Sequence, residues 1–467
     1  MSAETPAANR PDGDHGGDHG GDHGGDRAVA RAGITIGVLS VVAKLTAFVR
    51  EAAIAAVYGR GPEVDAFFLA LAVPVFLLAL IAGSFQIALV PAYLARRRAA
   101  GDAAADSLFA AAFGRMLAVV AAGSLVMAAA APAYLPWLAP ALAPDTLALT
   151  ADLLWIMTLF VVAGGAAVAW GGVLNARRRF ALPAIAPAFT PLVMAVLLLL
   201  ARDRLGVAAL AWGAVLGTAI EAALVGGALR RLGSRLVPAA GAPDLAPLLR
   251  RWGPILLANL LLYGAGVLDQ MMAAMLGPGS ASAIGYGAKL VLAGLHVATL
   301  AIGVAILPAY SDQAAAGDLA ALRRRLRRHV ALDSAARNKA VMAEPVVRLL
   351  YQRGAFGADD TALVSDVLVA YATQLPPYAA AVVLVRAAAV LGLGRALAGA
   401  AAANLVLTVA LNAGFMAIWG VVGIALATAP AFLATALILY VAVMRSESMP
   451  TRPGVRPRTS SRRRPRW

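Results

Sequence analysis

The sequence predicts an all-α, polytopic transmembrane helical bundle, and three observations carry that expectation. Mean hydropathy is +0.77, with 61% hydrophobic and only 14% charged residues among 467, a balance that water cannot solvate in a chain of this size. The apolar residues fall in about eleven segments, each long enough for the roughly 20 residues that one bilayer crossing takes. The basic residues that give the net charge of +15 gather between alternate segments.

Backbone groups in hydrocarbon must be bonded within their own segment, so the spans are helices and not strands. They lie near 33–58, 65–94, 107–131, 148–173, 181–201, 207–229, 252–277, 283–310, 361–392, 396–419 and 421–445. The first contains Lys44, Arg50 and Glu51, and Asp65 opens the second. The Ala, Gly and Leu content of the chain agrees, because small residues let transmembrane helices approach closely. Pro74, Pro183, Pro187, Pro191, Pro254, Pro376 and Pro377 interrupt their helices, a feature that alternating-access transporters use to bend around a central site.

The charge distribution sets the topology. Arg96–Arg98 follow the second span, Arg177–Arg179 the fourth, Arg230, Arg231 and Arg235 the sixth, and Arg323–Arg325, Arg327 and Arg328 the eighth. The loops Pro132–Leu147 and Gly277–Ser282 carry no Lys or Arg, while Arg202 and Arg204 are a mild exception after the fifth span. The positive-inside rule then makes both termini cytoplasmic. The basic tail Arg452–Trp467 requires one more crossing, and the candidate is 329–352, which contains Asp333, Arg337, Lys339, Glu344 and Arg348. Each charge at mid-bilayer costs about 3 kcal/mol, so this ninth helix is degenerate: it either crosses in part or lies at the interface.

The expected organisation is a disordered Gly/Asp/His-rich tail over 1–31, an N-terminal lobe over 32–235, a C-terminal lobe over 236–445 and a basic disordered tail over 446–467. The Gly-Gly-Asp-His repeats of the first tail cannot bury a core, and no apolar signal-peptide region precedes the first span. Without cysteine, disulfides and thiolate chemistry are excluded. No phosphate loop, His-Glu-x-x-His or Gly-x-Ser-x-Gly motif occurs, so neither cofactor nor metal is expected and the chain does not read as an enzyme. His296 reads as a packed residue. The basic charge is explained by topology and anionic lipid, so nucleic acid is not an expected partner.

Ionisable residues inside the spans are the remaining chemical signal, because they face a bundle interior or an aqueous cavity. Lys44, Arg50, Asp269, Lys289 and Arg386 lie deep, and cations outnumber anions among them. Such a cavity suits an anionic substrate, phosphate above all.

The chain from about Gly33 to Arg445 resembles the lipid II flippase family MurJ/MviN of the multidrug/oligosaccharidyl-lipid/polysaccharide exporter superfamily. The resemblance rests on Phe48-Val-Arg50-Glu51, Tyr58-Gly59, Asp65-Ala-Phe-Phe68, Phe85 through Val90-Pro91, Leu174-Asn175-Ala176-Arg177, Pro183 through Pro187, Tyr286 through Lys289-Leu290, Ile306-Leu307-Pro308 and Gln352-Arg353-Gly354-Ala355-Phe356. It implies two lobes of about six helices around a central cavity, in which Arg50, Lys289 and Arg386 contact a lipid-linked pyrophosphate and Asp65 serves gating or ion pairing; as ionisable residues inside the spans, Lys44 is a further substrate-binding candidate and Glu51 and Asp269 further gating or ion-pairing candidates. It also implies membrane lipids and cell-wall synthesis proteins as partners. The sequence departs from the family pattern in the uncharged stretch Val75–Gln86, in Ala288 where an aspartate is usual, in the degenerate ninth helix and in lacking a final helix pair. The expected activity is therefore outward flipping of a polyprenyl-pyrophosphate-linked saccharide, lipid II first. Export of another such glycan, or a non-transporting scaffold of the same fold, are the alternatives.

Overall fold

The computed structural model describes residues 23–234, 245–292, 337–391 and 393–445. His296, the arginines of 323–328, Asp333, Ile306–Pro308, most of the N-terminal tail and the tail from 446 lie outside the described residues. Among the described residues every regular element is a helix: α1 (His23–Tyr58), α2 (Pro62–Leu78), a π-helical turn (Ala79–Gly83), α3 (Ser84–Ala129), α4 (Ala131–Leu138), α5 (Pro144–Ala176), α6 (Ala181–Ile185), α7 (Phe189–Leu205), α8 (Ala208–Arg231), α9 (Ala246–Ala274), α10 (280–292), α11 (Arg337–Tyr351), α12 (Ala358–Ala372), α13 (Leu375–Val390) and α14 (Gly394–Arg445). Helix α1 starts at His23, so its first turns precede the span expected from residue 33 and include Asp26–Ala32, whose Ala and Arg favour helix.

Six helical stretches among the described residues are long and apolar enough to cross a membrane. Two of them each hold two predicted spans. In the stretch Pro62–Ala129 the chain turns at Gly101, with φ +78, and α14 turns at Gly420, with φ +57. Both angles lie in the left-handed region where a Cβ is strained, so glycine is the residue that can make these turns. Apolar side chains such as Val126, Leu200, Val406 and Ile418 stand exposed on the outside, as a lipid-facing surface requires. The chain is thus a multi-pass membrane protein.

Helix α5 packs against α2, α3 and α8, and α7 lies along α8 and α1. The α7–α8 contact is close because Gly213 and Gly217, one turn apart, face backbone: a Cβ at Gly213 would come 2.6 Å from Met194 Cα, and one at Gly217 2.5 Å from Thr190 Cα. In the second half, α14 packs on α13, α9 and α12. The arginine clusters after α5 and α8 share one end with the turn in α3, since Arg177 donates to Asp106 (2.8 and 3.0 Å), to Tyr93 Oη (2.9 Å) and to the Leu232 carbonyl (3.3 Å). The 59–61 turn lies at the opposite end.

Candidate substrate site and the seal above it

Helix α1 brings Arg50 and Glu51 against α10, where Lys289 faces them. Glu51 is 1% exposed, and its Oε1 accepts from Arg50 Nε at 3.0 Å and pairs with Lys289 Nζ at 2.8 Å. Its Oε2 is buried with no hydrogen-bond partner. Two cations therefore share one carboxylate oxygen, and the cluster carries one net positive charge. Among the described residues the further contacts of the cations are neutral: Lys289 Nζ sits 3.8 Å from the centroid of the Phe68 ring, and Arg50 Nη1 lies 3.8 Å from Met194 Sδ. At a rise of about 1.5 Å per residue, Glu51 lies roughly 10 Å from the Tyr58 end of α1, and Lys289 is the same distance along α10 from Ser282.

The end above this cluster is closed by contacts between the first and second halves of the chain. Asp65, fully buried on α2, accepts from the backbone N–H of Gly279 and from that of Ser282 at 2.7 Å. These are orphan amides at the start of α10, and a carboxylate there also meets the positive end of the helix dipole. Arg60 donates to Asp360 Oδ1 at 2.8 Å and to the Gly279 carbonyl at 3.3 Å. Tyr286 Oη donates to the Gly59 carbonyl at 3.0 Å, and the Ala355 N–H to the Ala56 carbonyl at 2.9 Å. Gly354, with φ +59, is essential to that last contact, because a Cβ would lie 2.1 Å from Ala56 O.

Toward the arginine-rich end the halves touch again. The π-helical turn after α2 meets α9, where Asn259 Nδ2 donates to the Ala79 carbonyl at 3.4 Å. Trp252 Nε1 donates to Ser84 Oγ at 2.7 Å, with its ring edge-on to Phe85 at 5.6 Å.

The remaining expected site residues stand apart. Asp269 is buried on α9 and accepts from Asn412 Nδ2 (2.7 Å) and Tyr371 Oη (3.2 Å), two uncharged partners within the second half, and makes no ion pair among the described residues. Lys44 lies on α1 and is exposed. Arg386 is on α13, and its side chain lies outside the described residues. The sequence analysis did not single out Arg60, Asp360, Asp106, Trp252 or Ser84 for the site. An Arg directly after a Gly at a span end, and an Asp in the first turn of α12, are the signals that could have marked Arg60 and Asp360.

Comparison with known proteins agrees with this architecture. The family model described as lipid II flippase MurJ matches residues 54–461. A probable lipid II flippase MurJ of Rhizobium meliloti (strain 1021) is 28% identical over 361 residues, 74% of this chain and 67% of the relative. One of Synechocystis sp. (strain ATCC 27184 / PCC 6803 / Kazusa) is 28% identical over 423 residues, 84% and 77%. Among solved structures, the inward closed conformation of a lipid II flippase MurJ superposes with a TM-score of 0.76 at 19% identity, covering 88% of this chain and 87% of that one. An inward-facing multidrug resistance MATE family transporter of the MOP superfamily gives 0.72 at 13% identity, covering 89% and 99%. The chain belongs to the lipid II flippase MurJ family and is a membrane transporter, not an enzyme.

Proposed function

We propose that this protein moves a polyprenyl-pyrophosphate-linked saccharide, the peptidoglycan precursor lipid II, from the inner to the outer leaflet of the cell membrane by alternating access. The observation that carries the reading is the Arg50–Glu51–Lys289 cluster, a net cation at membrane depth beneath a seal made between the two halves. A pyrophosphate offers several oxygens to both cations, whereas Glu51 offers one, so substrate can take them from the carboxylate. The positive-inside rule supports an orientation with both termini cytoplasmic and the sealed end outward.

In this mechanism the lobes 32–235 and 236–445 rock about the site. Substrate enters from the cytoplasmic side, the Asp65–α10 seal then opens, and the polyprenyl tail stays in lipid while the head group crosses. Lys44 and Arg386 extend the cationic path, and Asp269 stiffens the second lobe. Cell-wall synthesis proteins are the natural suppliers and users of such a substrate. The uncharged stretch Val75–Gln86, with its π-helical turn, favours export of a different polyprenyl-linked glycan as the second reading.

Native mass spectrometry of the nanodisc-embedded protein with lipid II and with undecaprenyl-pyrophosphate tests the proposal. Saturable binding that Arg50→Ala abolishes is the expected result. Binding of undecaprenyl-pyrophosphate but not lipid II would favour the second reading, and binding of neither would refute both.

A further inference from the structure

We propose that Phe68 is a positioning residue for the substrate anion: its ring face holds the Lys289 ammonium in place without neutralising it. The inference rests on the pyrophosphate-binding reading of the cluster and adds a specificity element to it. A carboxylate partner fixes a lysine but cancels its charge, whereas an aromatic face attracts the ammonium through its quadrupole and leaves the full charge to act on a third group. Lys289 Nζ lies 3.8 Å from the ring centroid, and the Glu51 oxygen at 2.8 Å is shared with Arg50. When an anion draws Lys289 away from Glu51, the ring is the contact that remains.

The ring itself cannot drift. Gly285, one turn before Lys289 on the same face of α10, lies against its edge: a Cβ there would come 3.0 Å from Phe68 Cδ2 and 3.1 Å from Cε2. Tyr286 meets the ring edge-to-face with centroids 5.3 Å apart and donates its hydroxyl to Gly59 in the seal. Gly285, Tyr286 and Lys289 thus grip one ring from three sides, and that ring sits three residues after Asp65, which caps the same α10. Phe68 links the charge that meets substrate to the seal that substrate must open.

The test replaces Phe68 by mono-, di- and trifluorinated phenylalanine. These weaken the ring's attraction for a cation in steps while nearly keeping its shape, and undecaprenyl-pyrophosphate affinity is measured in nanodiscs. Affinity is expected to fall with each fluorine, to about tenfold below wild type at three, with the melting temperature unchanged. In a Lys289→Met background the fluorine dependence should vanish. Equal affinity across the series, with binding still lost in Arg50→Ala, would overturn the role of Phe68 and leave the pyrophosphate reading intact. An equal slope in the Lys289→Met background would overturn it too, since the ring would then act without the cation. Absence of binding by the unsubstituted protein would overturn the pyrophosphate reading, and this inference with it.

Discussion

The Asp65 cap makes a quantitative demand on the seal above the Arg50–Glu51–Lys289 cluster. Replacing Asp65 with Ala removes two charge-assisted bonds to the amides of Gly279 and Ser282 and a carboxylate from the start of α10. A hydrogen bond to a charged group is worth about 1.5 kcal/mol net at the low end, and a carboxylate at a helix N-terminus adds about 0.5 kcal/mol. The seal loses about 3.5 kcal/mol in all, which shifts the closed-to-open ratio roughly 400-fold. The chain has no cysteine, so Ser282→Cys places one near-isosteric thiol in the seal at a position with 0% exposure. A membrane-impermeant maleimide reaches that thiol only when the end opens, so its labelling rate follows the open population. Asp65→Ala should raise the rate roughly 400-fold over the Ser282→Cys parent. An unchanged rate, with thermal stability retained, would refute the claim that the Asp65 cap holds this end closed.

Three further outcomes are expected. Gly354→Ala forces a Cβ into the left-handed region and against the Ala56 carbonyl, so it should also speed labelling of Ser282→Cys; an unaltered rate would mean that the 353–357 loop can move aside at no cost. Arg177→Ala leaves Asp106 buried without its cation and should destabilise the protein by about 3 kcal/mol, while Arg177→Met with Asp106→Leu should recover most of that loss; thermal unfolding in detergent measures both, and equal loss in the single and double variants would contradict the argument. The Arg97–Asp102 pair is solvent-exposed, and the hydrogen bond from Arg97 holds the Asp102 carboxyl below its ordinary value of 3.8. Its stabilising contribution is therefore fully present above that value and is lost as pH falls below it; Arg97→Ala should leave the melting temperature at pH 7 within error, and a marked drop would show that the pair does more than an exposed ion pair can.

Much of the helical order was legible because hydrocarbon permits few solutions. The span near 148–173 lies within α5, and those near 396–419 and 421–445 fall on either side of the Gly420 turn in α14. Boundaries were less legible where chain chemistry does not change at a helix end. The second predicted span, 65–94, is divided among α2, the π-helical turn and α3, because a π turn depends on packing against α9 and carries no composition of its own. At the site, Arg50, Glu51 and Lys289 could be singled out by the cost of charge in lipid, but the sharing of one Glu51 oxygen could not. Asp65 opens the second predicted span, yet its carboxylate caps α10, more than 200 positions away in sequence.

The sequence by itself determined that this chain is a helical membrane protein, which ends of its spans are basic, and which few ionisable groups stand inside them. Each follows from a local quantity: residue hydropathy, charge and spacing. Only the tertiary structure decided that the two cations converge on one carboxylate, that Phe68 faces one of them, and that Gly59, Gly279 and Gly354 meet at a single closed end. Those contacts join residues from opposite halves of the chain, and their geometry depends on the angles at which whole helices cross. No window of sequence carries that information, because it arises only when the halves pack.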